Sequence, residues 1–148
     1  MSDKLRVTVL GATGMVGQRF VTLLAGHPRF RIVSVAASER SAGKSYADAV
    51  DGRWAMDSPL PLDVSDMVVK NAADVESIAA DVDFAFCAVD MPKEKVRDLE
   101  DAYAKTETPV VSNNSAHRKS SDVPMVIPEL NGEQFRLIHA QRERLGTS

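Results

Sequence analysis

What the chain lacks narrows it first. It has a single cysteine, Cys87, so no internal disulfide framework is available, and a reducing, cytoplasmic setting fits. No stretch approaches the roughly 20 apolar residues that a membrane-spanning helix needs. The opening MSDKLRVTVL lacks the charged, then apolar, then small layout of a secretory signal. An excess of positive charge is missing too. The 18 Lys and Arg face 21 Asp and Glu, a net charge of −3, which argues against a generic nucleic-acid surface. Neither an internal repeat nor a low-complexity segment is present. What remains is 148 residues, 44% hydrophobic and 26% charged, enough for one globular domain with its own core.

Hydrophobic patterning orders that domain. Residues 5–10 read as a buried strand. From Met15 the apolar residues Val16, Phe20, Leu23 and Leu24 fall on one helical face, and Gly26 and Pro28 stop the helix. FRIVSVAA, residues 30–37, is a second β-branched strand, so the chain opens with a β-α-β unit whose crossover is right-handed. Residues 38–61 are polar and small, with helical potential at 46–50, and residues 66–69 favour a strand. VDFAFCAV, residues 82–89, reads as a buried strand, residues 92–105 as a helix opened by Pro92 and Glu94, and residues 109–112 as a short strand. A polar loop, SNNSAHRKSSD, follows. Residues 131–145 predict a last helix, with Asn131 as a candidate cap. The alternation predicts an α/β fold, a Rossmann-like, doubly wound and mostly parallel sheet in a single domain.

The chemistry begins at VTVLGATGMVGQRF. Gly11, Gly14 and Gly17 are spaced three apart, directly after a strand and at the opening of a helix. In that position Gly11 allows a tight turn, Gly14 lets backbone approach a pyrophosphate, and Gly17 permits close helix–strand packing. Free N–H groups and the helix dipole then face the phosphates, and Thr13 adds a hydroxyl. The blander reading is a glycine-rich turn with no ligand. A mononucleotide P-loop is disfavoured, because no Gly-Lys-Ser/Thr follows.

After the second strand comes ASERSAGK. A reader of a free ribose usually carries an acidic residue here to bind the 2′-OH. Instead Ser38, Arg40, Ser41 and Lys44 cluster around a single Glu39. Arg40 offers a planar fork matched to phosphate and Lys44 a second charge, so the cofactor expected is NADP. Charge-assisted hydrogen bonds contribute roughly 1.5–3 kcal/mol each, so two favour a 2′-phosphate by on the order of a hundredfold. Against this stand a merely solvated loop and a Glu39 that binds the 2′-OH and gives mixed specificity.

Cys87 invites reading as a nucleophile, with His117 and His139 as bases. Its setting, FAFCAV, favours a small buried hydrophobe instead. The loop after the last clear strand ends in His117 and Arg118, at a strand's carboxyl end where ligands bind. Arg118 is either an anion ligand or a surface arginine, and His117 is read as a hydrogen-bonded loop residue.

GATGMVGQRF, ASERSAGK, SNNSAHR and DVPMVIPELN, in this order and spacing, resemble the NADP-binding half of aspartate-semialdehyde dehydrogenase. The likeness is to the archaeal and fungal branch, which also holds malonyl-CoA reductases, and it covers essentially the whole chain. The resemblance implies a phosphorylating aldehyde dehydrogenase of lysine, threonine and methionine biosynthesis, reducing aspartyl phosphate with NADPH through a cysteine thioester. It implies that Thr13, Gly14, Met15 and Val16 touch the pyrophosphate, and that Ser38, Arg40, Ser41 and Lys44 touch the 2′-phosphate. It further implies that Ala88, Val89 and Asp90 lie along the cofactor, that Arg118 binds the substrate's phosphate, and that Asn131 lies near the active-site edge. In that family the acylating cysteine follows soon after a segment like QRERLGTS, where this sequence ends. The resemblance therefore implies a chain, residues 1–148, that is the cofactor-binding domain alone. The thioester cysteine, the histidine base, the carboxylate-gripping arginine and the dimer-forming sheet belong to the other half, and a hydrophobic face is left exposed. Expected of this chain are NADP(H) binding without turnover, a small acyl-phosphate substrate and a homo-oligomeric parent enzyme. No catalytic residue within the chain, metal, nucleic acid or membrane partner is expected.

Other readings compete. N-acetyl-glutamyl-phosphate reductase and malonyl-CoA reductase share the thioester logic. Short-chain dehydrogenases also use GATGxxG loops but need a Tyr-x-x-x-Lys pair, and Val50 and Glu107 stand four residues after Tyr46 and Tyr103. A non-enzymatic NADP-binding module is the last alternative.

Overall fold

The computed structural model describes residues 3–148. In chain order the elements are β1 (Leu5–Leu10), α1 (Met15–Leu24), β2 (Phe30–Ala37), α2 (Tyr46–Val50), α3 (Leu62–Ser65), β3 (Lys70–Asn71) and α4 (Val75–Ala79). Then follow β4 (Phe84–Cys87), α5 (Lys93–Lys105), β5 (Val110–Ser112), α6 (Pro128–Asn131), a 3-10 turn (Gly132–Arg136) and α7 (Leu137–Leu145). The strands form one all-parallel sheet in the order β3-β2-β1-β4-β5. This is the doubly wound arrangement expected. Chain order reverses at β1, whose neighbours are β2 on one side and β4 on the other.

Side-chain alternation sorts the strands between two cores. Val7 and Val9 of β1 join Val21, Val35, Tyr46 and Val50 on one face. Leu10 joins Ala85, Cys87, Ile78, Val96 and Tyr103 on the other. The same alternation turns Phe84 and Phe86 toward the first core. There Phe86 meets Phe20 and Phe30, each with ring centroids 5.5 Å apart. Strands buried on both faces explain why residues 7–10 and 34–37 contain so little charge.

Four details depart from the sequence expectations. α1 packs through Gly17, Val21 and Leu24, with Gln18 also buried, whereas Val16 and Leu23 are exposed. The close approach of Gly17 to the preceding loop sets the helix rotation, which turns Val16 toward the mouth of that loop. Residues 66–69 are not a sheet strand. Val68 forms an antiparallel bridge with Ser45, flanked by Val69, which accepts from the Gly43 N–H and donates to the Lys44 carbonyl, each at 2.8 Å, and the sheet strand is the next pair, Lys70–Asn71. The last helix is broken. Asn131 has φ −142° and ψ 39°, and the chain tightens into the 3-10 turn through Gly132 before α7 begins. Nor is Asn131 a cap, because its Oδ1 accepts from the Ile127 N–H at 2.7 Å and its Nδ2 donates to the Met125 carbonyl at 3.0 Å. Finally, α3 and α4 are single-turn helices, too short for a helical period to show.

Candidate functional site

The loops that leave β1, β2, β4 and β5 all emerge at the carboxyl edge of the sheet, beside the point where strand order reverses. Open α/β sheets bind ligands at this edge.

The β1 loop is shaped by its glycines. Gly11 has φ +79°, and a Cβ there would meet the Ala88 carbonyl oxygen at 2.5 Å and the Val89 nitrogen at 2.7 Å. The chain leaving β1 thus runs flush against the chain leaving β4. A Cβ on Gly17 would lie 2.0 Å from the Gly11 oxygen. Gly14 differs. Its backbone is ordinary, and the nearest atom to its Cβ position is 3.7 Å away, so nothing within the fold requires a glycine. Its bare Cα faces open space, as a close-approaching ligand would need.

Donors line that opening. Gly11 and Ala12 N–H bond to the Ala36 carbonyl, and Gly14 N–H to the Gly11 carbonyl. The N–H groups of Thr13, Met15, Val16 and Gly17 have no acceptor among the described residues. Met15, Val16 and Gly17 supply the orphan donors of a ten-residue helix, at its positive end, and Thr13 stands just before its cap. Beneath the loop, Tyr46 Oη donates to the Ala12 carbonyl at 2.7 Å. Gln18, 1% exposed, donates to the carbonyls of Thr13 and Arg53, each at 3.0 Å, and accepts from the Ala55 N–H at 2.8 Å. Every polar atom of that amide is engaged. The cradle is rigid below and unsatisfied above, which suits a pyrophosphate.

At the end of β2, Ser38, Glu39 and Arg40 are exposed and line a shallow depression. Lys44 is exposed as well. Ser41 is buried, with its N–H donating to the Ser38 carbonyl at 2.9 Å, so it builds the turn that displays the others. At the end of β4, Val89 is buried, Ala88 half-buried against Gly11, and Asp90 exposed.

Cys87 is fully buried. Burial foremost, with the neighbouring Glu100 adding to it, pushes its thiol up to about 12. A thiol held protonated in an apolar core is packing, not a nucleophile. The β5 loop hangs from it. Asn113 N–H donates to the Cys87 carbonyl at 2.9 Å, and Asn114 Nδ2 lies 3.7 Å from the Cys87 sulfur. His117 is buried, with Nδ1 2.9 Å from Ser120 Oγ. Its Nε2 stands 3.0 Å from Asp101 Oδ1, close enough to pair but out of line for a hydrogen bond. Arg118 is exposed and donates once, to the Asn113 carbonyl at 3.3 Å. Asn131 closes α6 and tethers residues 125–127. Met125, Ile127, Leu130 and Phe135, on and beside that segment, are each more than half exposed.

The structure therefore gathers Gly11, Thr13, Gly14, Met15 and Val16 with Ala88, Val89 and Asp90 where the β1 and β4 loops meet. Ser38, Arg40 and Lys44 stand on the next loop, and Arg118 on the far one. Sequence reasoning missed Gln18 and Tyr46, which support the cradle from below. Gln18 carries no local signal, because the inward side of α1 is set by the contact of Gly17 with Gly11.

Among the described residues there is no cluster of potential metal ligands, and no helix is long and apolar enough to cross a membrane. Comparison with known proteins bears on the rest. The family described as semialdehyde dehydrogenase, NAD binding domain, matches residues 6–138. An aspartate-semialdehyde dehydrogenase of Methanothermobacter thermautotrophicus is 45% identical over 140 residues, covering 95% of this chain and 38% of the relative. One from Archaeoglobus fulgidus is 41% identical over 140 residues, covering 95% and 39%. The crystal structure of the Candida albicans aspartate semialdehyde dehydrogenase with NADP superposes with a TM-score of 0.83 at 35% identity, covering 96% of this chain and 38% of that one. The chain thus spans about two-fifths of the length of these relatives. With nine-tenths of its length, residues 6–138, matched, the chain belongs to the NAD(P)-binding domain family of the semialdehyde dehydrogenases.

Proposed function

We propose that this chain is the NADP-binding part of a cytoplasmic, phosphorylating aldehyde dehydrogenase that reduces aspartyl phosphate to aspartate semialdehyde. The observation that carries the reading is the cradle at Gly14, a glycine the fold does not need beside four unpaired N–H groups. The aspartate-semialdehyde dehydrogenase relatives and the NADP-bound Candida albicans enzyme support it.

In this reading the N–H groups of Thr13, Met15 and Val16 take the pyrophosphate charge, and Gly14 lets it approach the backbone on the turn that Gly11 allows. Ser38, Arg40 and Lys44 hold the 2′-phosphate, with Ser41 fixing the turn that presents them. Ala88, Val89 and Asp90 line the path of the cofactor across the switch point. When bound, NADPH supplies the hydride for the reduction. Arg118 meets the phosphate of the acyl phosphate, and Asn131 borders the active-site edge. The thioester nucleophile is not in this chain, because its one thiol is sealed in the core. The catalytic cysteine and the oligomer-forming surface belong to the remaining three-fifths of the relatives' length.

Calorimetric titration with NADP and NAD tests the assignment. NADP is expected to bind the wild type on the order of a hundredfold more tightly than NAD, with Arg40→Ala removing most of that ratio. Equal affinities in both proteins would sink the NADP assignment. Oxidation of NADPH with aspartyl phosphate by this chain alone would overturn the placement of the nucleophile elsewhere.

A further inference from the structure

Helix α5 carries more buried charge than its packing needs. Val96 and Tyr103 already anchor it to the sheet, yet Glu100 is also buried, at 6% exposure. Arg97, Glu100 and Asp101 lie at i, i+3 and i+4, on one face of the helix. All three reach the loop that follows β5. Arg97 Nη2 donates to the Ala116 carbonyl at 3.0 Å. Glu100 accepts from the Ser112 hydroxyl, whose oxygen in turn accepts the Asn114 N–H at 2.9 Å. Asp101 stands 3.0 Å from His117 Nε2, and its other oxygen takes Arg144 Nη1 of α7 at 3.0 Å.

The loop is thus gripped at Ser112, Asn114, Ala116 and His117. Arg118 stands outside that grip, exposed, its guanidinium making one hydrogen bond, to the Asn113 carbonyl. Few backbone bonds of the loop's own would hold it otherwise; Arg118 N–H to the Ser115 carbonyl, at 3.3 Å, is one.

We infer that Arg97, Glu100 and Asp101 are positioning residues that set this loop so that Arg118 presents its guanidinium to a phosphate group. The inference rests on the reading of Arg118 as the phosphate ligand, and it assigns that geometry to α5. A freely hinged arginine gives up conformational freedom on each encounter with an anion. One whose base is fixed by three contacts gives up less.

The test titrates the chain, saturated with NADP, with inorganic phosphate and follows the NMR signals of Arg118 Nε–Hε and of the loop amides. The wild type is expected to show saturable shifts, and Arg118→Ala to lose them. Ser112→Ala and Asp101→Asn are expected to weaken phosphate binding about tenfold and to speed amide exchange at Asn114 and Arg118. Their NADP affinity should stay within about twofold of the wild type, since these sites lie apart from the cradle. Ser112→Thr, which restores the hydroxyl, should recover binding. Wild-type phosphate affinity in both Ser112→Ala and Asp101→Asn would overturn the inference while leaving the reading of Arg118 intact. Unchanged phosphate affinity in Arg118→Ala, or no saturable shift in the wild type, would overturn that reading and the inference with it.

Discussion

A Cβ on Gly17 would stand 2.0 Å from the carbonyl oxygen of Gly11 and 2.7 Å from the Cα of Ala12. The first turn of α1 is therefore seated directly on the loop that precedes it, backbone against backbone. Neither partner has a flexible end that can yield. Gly17→Ala is expected to destabilise the fold by about 3 kcal/mol, the upper range for overpacking a closed site. Urea denaturation of the variant measures it, and a loss under about 1 kcal/mol would mean that the helix can lift off at little cost.

Gly14→Ala separates binding from folding. The added methyl meets nothing closer than 3.7 Å, so stability should fall by no more than about 1 kcal/mol, the cost of alanine in place of glycine at a helix N-cap. The same methyl projects into the proposed pyrophosphate position. NADP affinity should drop by about tenfold or more, read by calorimetry on a variant with a near wild-type melting temperature.

Gln18→Ala removes three hydrogen bonds from a buried amide. The carbonyls of Thr13 and Arg53 and the N–H of Ala55 lose their partner together. A loss of roughly 2–4 kcal/mol is expected in chemical denaturation, with weaker cofactor binding as the β1 loop loosens. Wild-type stability would show that water replaces the amide.

Cys87 sets an alkaline limit. Its folded thiol titrates near 12, against an ordinary value of 9.0. The folded state therefore keeps its proton where the unfolded chain has lost it. The associated stability is fully present below pH ~9 and declines as pH rises toward the folded value. The buried Tyr46 and Tyr103 hydroxyls, also pushed up by burial, add the same sign at higher pH. Stability measured from neutral to alkaline pH should fall more steeply in the wild type than in Cys87→Ala. Iodoacetamide should alkylate the native thiol at pH 8 about a thousandfold more slowly than a free one.

The sheet and its glycine loop were legible because both depend on local rules. Buried parallel strands read as apolar runs, as in VDFAFCAV, and the Gly11–Gly17 spacing is tied to a strand-to-helix turn. The rotation of α1 was not, because Val16 and Leu23 look as apolar as Val21. Only the contact between Gly17 and Gly11 decides which side faces the sheet. The cap expected at Asn131 fails for a similar reason. Its amide had local carbonyl and N–H partners at Met125 and Ile127, and a short polar side chain takes the nearest geometry that satisfies both its ends. Gln18 and Tyr46 matter through partners 34 to 37 residues away, and Glu100 through one 12 residues on, and no window of sequence displays those pairings.

β4 lies between β1 and β5, and its last residues touch the loops of both. Ala88 is pressed against Gly11, and the Cys87 carbonyl holds Asn113. Neighbouring strands sit about 4.8 Å apart, so the β1 loop and the β5 loop start two spacings, or roughly 10 Å, from each other. That separation is a property of hydrogen-bonded backbone and is indifferent to side chains. Substitutions in either loop can retune how strongly a group is held, but not how far apart the two loops begin. The sheet acts as a ruler, and altering its length would take a strand inserted or removed.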